Sequence, residues 1–236
     1  MCTVSFVNNN GVVMITSNRD EQVIRPNAIA PKNYNQNGKN VIYPKDPKAG
    51  GTWFAVNADK TVLVLLNGGF VKHEVAFSYR KSRGLIVLDI MYSDSPKDFW
   101  SEINLENIEP FTLVLYQEQK LYELVWDGLV KRMRMLDETK NHIWSSVTLY
   151  SGEIRKKRAD WFELFLKNKN EILPQDMFGF HRNTEGDDSQ NGLIINRENA
   201  LKTLSITQVT IEKNKGIMRH FDLINTKDFS TAFISI

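Results

Sequence analysis

At 236 residues the chain is long enough to bury a substantial core. Its 30 basic and 28 acidic residues leave a net charge of +2, so no overall field recruits nucleic acid or an anionic membrane, and only a local basic patch could do so. A hydrophobic share of 42% and a charged share of 25% are those of an ordinary globular protein, and 13 Gly with 7 Pro exclude a low-complexity or disordered one.

The N-terminus opens on structure. Cys2 to Val7 reads as a strand, Asn8-Asn9-Asn10-Gly11 as a turn, and Val12 to Ser17 as the returning strand of a hairpin. Asn18 to Gly51, punctuated by Pro26, Pro31, Pro44 and Pro47, reads as a long excursion with little regular structure. Thr52–Asn57 and Thr61–Leu66 predict a second hairpin, closed by Asn67-Gly68-Gly69. Ser82–Tyr92 has a helical apolar period, and Ser95-Pro96 is a helix start through Phe99, Trp100 and Ile103. Three strands follow at Phe111–Tyr116, Leu121–Trp126 and Leu129–Met135. Gly152–Lys167 is an amphipathic helix with Ile154, Trp161, Leu164 and Phe165 on its apolar side. Pro174–Phe180 reads as a short helix and His181–Asn191 as a polar loop. Ala200–Glu212, Gly216–Asp222 and Ser230–Ile236 supply the last strands. Strands at both ends with helices between them predict one α+β domain over 1–236, two antiparallel sheets covered by helices.

A single cysteine excludes an intramolecular disulfide. Met1 to Phe6 lacks a basic n-region and a long apolar h-region, and no apolar run approaches the roughly 18 residues of a membrane span. The sequence therefore reads as a cytoplasmic protein with no membrane span.

Cys2 is the sharpest chemical feature. Once Met1 is removed, a thiol and its own α-amine would share one terminal residue. The amine, with an ordinary pKa of about 7.7–8.0, can act as a base, and a thiol near 8.5 needs modest help to become a thiolate. Nucleophile and base then reside together. Against this stands an ordinary small side chain on a buried strand. Asn18-Arg19-Asp20-Glu21 follows the returning strand, so the hairpin brings Asp20 near Cys2; a charged turn is the other reading. The Asn67 amide, or the Gly68 and Gly69 backbone, could steady an oxyanion, or simply form a turn. The glycines of Gly50-Gly51-Thr52-Trp53 either let the backbone approach a ligand or make a tight turn.

Other features read as structural. His73, His142, His181 and His220 show no metal-ligand spacing, so no metal is expected. Arg155-Lys156-Lys157-Arg158 reads as a solvated helix face, and the five tryptophans read as core or pocket lining. Neither a phosphate-binding loop nor a dinucleotide fingerprint is present.

The Met1-Cys2 start, Asn18-Arg19-Asp20-Glu21 with Arg25-Pro26, Gly50-Gly51-Thr52-Trp53 and Asn67 after an apolar strand resemble, in order, the NRDE or transport-and-Golgi-organisation family. Trp144 to Ser151, Arg155 to Phe162, Asn191-Gly192-Leu193 and Thr203 to Gln208 look like its bacterial branch. The resemblance implies the four-layer αββα fold of cysteine N-terminal-nucleophile hydrolases and amide-bond chemistry through Cys2. It implies that Asp20 orients the terminal amine and that Asn67 contributes to an oxyanion hole. Asn18, Arg19, Trp53, Ser146 and Arg155 are the implied rim or substrate contacts. The pattern departs from those hydrolases at Ser17, where they carry Arg, and at Ser146, where they carry a second Asn; their late Arg corresponds to Arg155 or to nothing. The implied partner is a small acyl or amide substrate, with no cofactor. The alternative is a non-catalytic carrier of haem or lipid on the same fold, with Cys2 as a soft ligand.

Overall fold

The computed structural model describes residues 3–235. The chain begins with a hairpin, β1 (Thr3–Asn9) and β2 (Val12–Gln22). Its turn residues Asn10 and Gly11 have φ of 53° and 82°, the paired positive values of a tight hairpin turn. β2 runs past its expected end at Ser17, because Asn18, Arg19 and Asp20 continue as ladder residues against a later strand.

The expected excursion from Asn18 to Gly51 is corrected. It holds a second hairpin, β3 (Ile29–Gln36) and β4 (Lys39–Lys45), turning at Asn37-Gly38. Pro31 and Pro44 both fall within the register shift between the Ile29–Lys45 and Lys32–Tyr43 pairs, where a missing N–H disturbs the ladder least. β5 (Phe54–Asn57), β6 (Val62–Asn67), α1 (Arg83–Met91) and α2 (Pro96–Glu102) follow near their expected places. Ser95 caps α2 by accepting from the Asp98 N–H, with Pro96 at the first turn.

β7 (Phe111–Gln117), β8 (Lys120–Trp126) and β9 (Lys131–Leu136) form the expected meander, though Leu129 and Val130 belong to the turn. β10 (His142–Ser145) is a strand not expected from the sequence; it pairs with β1 across a long sequence gap, which local pattern does not reveal. α3 (Gly152–Lys167) buries Arg158 and Phe162, while Leu164 faces water. α4 (Pro174–Asn183) takes in His181, which was expected in a polar loop. β11 (Asn196–Arg197), β12 (Leu201–Glu212), β13 (Lys215–Asp222) and β14 (Lys227–Ile234) complete the chain.

All strand pairs are antiparallel and build two sheets. One has the order β10-β1-β2-β12-β13-β14, with β11 beside β12; the other runs β3-β4-β5-β6-β7-β8-β9. Between the sheets Val4, Phe6, Val13 and Ile15 join one apolar core with residues of the second sheet, and Phe6 meets Tyr116 at 5.8 Å. α1 and α2 cover the second sheet, where Trp100 packs edge-on against Phe111. α3 and α4 cover the first, with Phe162, Met177 and Phe180 packed around Val7 and Met14. The result is the expected four-layer αββα sandwich of the α+β class. No helix among the described residues is long and apolar enough to cross a membrane.

Candidate functional site

Cys2 lies outside the described residues; the residue that follows it, Thr3, does not. Thr3 starts β1 between Asn18 of β2 and Ser145 of β10. What surrounds this end of β1 is therefore the structure of the candidate site.

Successive strand residues point to opposite faces, and β2 uses both. Asn18 and Asp20 point under α3 and α4. The Asn18 amide donates to the carbonyls of His181 (3.0 Å) and Leu193 (2.7 Å), and its Oδ1 meets His181 Nδ1. Burial, and then the nearby Arg158 cation, push the His181 pKa down to about 3, so its ring is neutral. With Nδ1–H donating to Asn18, Nε2 accepts from the Ser5 hydroxyl at 2.7 Å. This serine–histidine–asparagine array is fully packed and lines neither cavity described below, so it holds β1, β2 and α4 together. Asn18, expected at the site rim, is wholly buried.

Asp20 is equally enclosed. Tyr150 donates its hydroxyl to Oδ2 and Thr203 donates its hydroxyl to Oδ1, both at 2.6 Å. The Tyr150 ring lies 3.6 Å beneath the Arg158 guanidinium. Arg158 donates to the Thr3 hydroxyl and to the carbonyls of Asn191 and Gly192. One continuous set of contacts thus runs from Thr3 through Arg158 and Tyr150 to Asp20. The expectation that residues 155–158 form a solvated face fails at Arg158, which is 0% exposed. Its spacing held the signal: Arg158 stands one helical turn before the buried Phe162.

Arg19 points the other way. Its guanidinium stacks 4.3 Å from the Trp53 ring, and Nη2 reaches Asp46 at 3.4 Å. Burial would raise the Asp46 pKa, but the Arg25 hydrogen bond, the Ala49 N–H and the Arg25 and Arg19 charges together lower it. These residues line a cavity of about 360 Å³ with Asn67 and Arg83. Arg83 pairs with Glu109 at 3.0 Å, and burial lowers its pKa. The wall is thus charged, with both signs represented. Gly51 shapes it from behind: a Cβ there would fall 2.3 Å from the Gly84 carbonyl carbon, so the glycine serves close packing against α1.

A second cavity of about 240 Å³ lies beside the first and shares Asn67 with it. Phe70, Trp144, Ser146 and Arg155 line it. The Ser146 hydroxyl donates to the Asn67 carbonyl at 2.8 Å, tying the end of β6 to the segment after β10 and so joining the two sheets. Gly68, with φ of 89°, carries the chain past Val147, where a Cβ would approach to 2.4 Å. The Arg155 Nε is buried and has no hydrogen-bond partner among the described residues.

Of the implied site residues, Arg19, Trp53 and Asn67 share the first cavity, and Asn67, Ser146 and Arg155 the second. Asn18 and Asp20 lie behind them under the helices. Arg158, His181, Thr203 and Ser5 were not anticipated. Among the described residues no three His, Cys, Asp or Glu side chains gather as a metal site would need.

The family model described as Transport and Golgi organisation 2 matches residues 1–231. A Caenorhabditis elegans N-acylethanolamine-hydrolyzing acid amidase ortholog superposes with a TM-score of 0.63 at 11% identity, covering 88% of this chain and 92% of that one. A variant of conjugated bile acid hydrolase from Clostridium perfringens superposes with a TM-score of 0.54 at 9% identity, covering 98% of this chain and 92% of that one. Identities this low establish likeness of fold alone, that of N-terminal-nucleophile hydrolases. No curated protein sequence matches the chain.

Proposed function

The chain belongs to the Transport and Golgi organisation 2 family, and we propose that it hydrolyses a non-peptide C–N amide bond, or a thioester, of a small acylated molecule through Cys2. The observation that carries this reading is the position of Asn67. It lines both cavities at the seam of the two sheets, tied to the segment that follows the strand flanking Thr3. A substrate lying across that seam would place its two halves in two cavities of different character. Phe70, Ile143, Trp144 and Val147 suit an acyl group, with Glu123 and Arg155 the charged members of that lining, while the more heavily charged wall of the other cavity suits a polar amine half.

In the proposed reaction, processing exposes the Cys2 amine, which takes the thiol proton. The thiolate attacks the acyl carbon, and Asn67 with adjacent backbone N–H groups steadies the oxyanion. The C–N bond breaks as the amine leaves with a proton. Water then attacks the acyl-enzyme, releasing the acid and restoring the thiol. Asp20, held by Tyr150 and Thr203, is the carboxylate assigned to orient the Cys2 amine.

The test begins with the mass of the native protein and its N-terminal peptide, then a panel of N-acyl amides and thioesters. An acyl adduct on the chain's sole cysteine and loss of turnover in Cys2→Ala are expected. Turnover retained in Cys2→Ala sinks the proposal. A blocked Cys2 amine with no turnover would leave the carrier of haem or lipid, tested by titrating haem and following its Soret band.

A further inference from the structure

The segment between β6 and α1, residues 68–82, contains no helix or strand. Its two ends line the two cavities, Gly68, Gly69 and Phe70 on one and Tyr79, Lys81 and Ser82 on the other. Between them the segment turns apolar side chains to water: Val71 is 73% exposed, Val75 75% and Phe77 107%. The β8–β9 turn adds Leu129 at 88%. The two stretches abut, since a Cβ on Gly69 would lie 3.0 Å from the Asp127 Cα. The ladder fixes their common end of the molecule. Asn67 pairs with Phe111, Phe111 with Trp126, and Trp126 with Lys131, so a single row of the second sheet leads from the candidate site to this turn.

Residues 68–82 and 127–132 carry five basic side chains, Lys72, Arg80, Lys81, Lys131 and Arg132, against the acidic Glu74 and Asp127. Lys72 and Arg132 form no ion pair among the described residues, and Arg132 lies 4.9 Å over the Phe70 ring. Arg80 donates to the carbonyls of Asn104 and Glu106, and Lys131 to those of Ser101 and Ile103. Those carbonyls neutralise no charge. On the acidic side, Glu74 lies in the segment, Asp127 accepts from the backbone of its own turn and feels the Arg132 charge, and two side chains of the segment are already paired, Lys81 with Asp89 at 2.5 Å and His73 with Glu109 at 3.3 Å. Long cationic side chains beside separate, protruding apolar ones suit an anionic lipid interface. The hydrocarbon accepts apolar groups without matching their shape, and the cations remain among the headgroups. A protein partner would need a surface shaped to fit these separate protruding side chains.

We propose that residues 68–82 and the β8–β9 turn form a peripheral docking surface for an anionic lipid bilayer, setting the mouths of both cavities against the lipid. The surface stands independently of any reaction at Cys2. The near-zero net charge leaves this local patch, rather than an overall field, to recruit the membrane.

The test is co-sedimentation of the full chain with vesicles of phosphatidylcholine alone and of phosphatidylcholine with one quarter phosphatidylglycerol. Binding to the anionic vesicles, weakened by salt, is expected. Lys72→Gln and Arg132→Gln should each weaken it about fivefold. Val75→Ser with Phe77→Ser should reduce it at least tenfold at unchanged thermal stability, since both side chains are exposed. In Phe77→Trp, the added indole emission should shift to the blue on anionic vesicles. No binding at low salt, equal binding to both vesicles, undiminished binding by the double serine variant, or no blue shift would each overturn the proposal.

Discussion

The two helix layers cover their sheets by different means. Under α1 and α2 the second sheet presents Leu63, Leu65, Leu113 and Leu115 to a layer containing Ile86, Ile90 and Trp100, all in one apolar cluster. Under α3 and α4 the equivalent space near the start of β1 holds Thr3, Ser5, Asn18, Asp20, Arg158 and His181, all buried. Apolar packing is non-directional and tolerates small rotations, whereas a hydrogen bond weakens steeply when misaligned. The first arrangement supplies stability. The second costs desolvation at every polar atom and offsets it only if each finds its partner in one geometry. That expenditure is concentrated where β1 begins, beside Cys2 in sequence, and it fixes the position of Asp20.

The sharpest way to break this comparison is to damage each layer once. Trp100→Ala empties a site that is 2% exposed. It should cost about 3–5 kcal/mol by chemical denaturation. Alkylation of the sole cysteine, followed against pH in the folded protein, should not change. Arg158→Gln should cost less, about 2–3 kcal/mol, because it strands buried carbonyls that the guanidinium served. It should also shift the pH profile of Cys2 alkylation, since it releases Thr3 and unsettles Tyr150. If Trp100→Ala moves that profile and Arg158→Gln does not, the division of labour between the layers is wrong.

A third measurement uses protons. Burial pushes the His181 pKa down to about 3 and the His220 pKa down to about 4, in each case from an ordinary value near 6.5. Below pH 6.5 the unfolded chain binds protons that the folded chain refuses. Stability is therefore complete above pH 6.5 and is lost as pH falls toward those lower values. The expected slope is about 1.4 kcal/mol per pH unit for each histidine. His181→Gln should remove one of the two contributions between pH 6 and pH 5. An unchanged slope there would mean that the ring is not buried in its neutral form.

How far the sequence reveals these layers depends on the range of the signal. Local signals worked: the hairpin turn at Asn10-Gly11, the Ser95-Pro96 cap and the full span of α3 are all written in adjacent residues. The resemblance to a family pattern singles out Asn67, Arg19, Trp53, Ser146 and Arg155, and these residues line the two joined cavities. What failed was long-range. β10 is a strand because it pairs with β1, and His181 is buried because Asn18 and Ser5 come to meet it from more than a hundred residues away. Proline misleads for a related reason. Pro31 and Pro44 suggested a loop, yet both fall in a bulge that only the pairing of β3 with β4 defines.

The smallest expected effect is also instructive, because it comes from the same four residues as one of the largest. Lys156 and Lys157 sit beside Arg158 in α3, one turn from Asp160 and Glu153, at 2.9 Å and 3.2 Å. By type and spacing they form better textual evidence for a designed interaction than Arg158 does. Their side chains are 76% and 54% exposed, however, and water competes for every bond they make. Lys156→Ala and Lys157→Ala should leave the melting temperature and the Cys2 alkylation profile unchanged, while Arg158→Gln alters both. A loss from either lysine comparable with that from Arg158→Gln would show that charge on this helix matters wherever it lies. The expected contrast would show that burial decides: one guanidinium turned inward at the start of β1 outweighs two ammonium groups turned toward water.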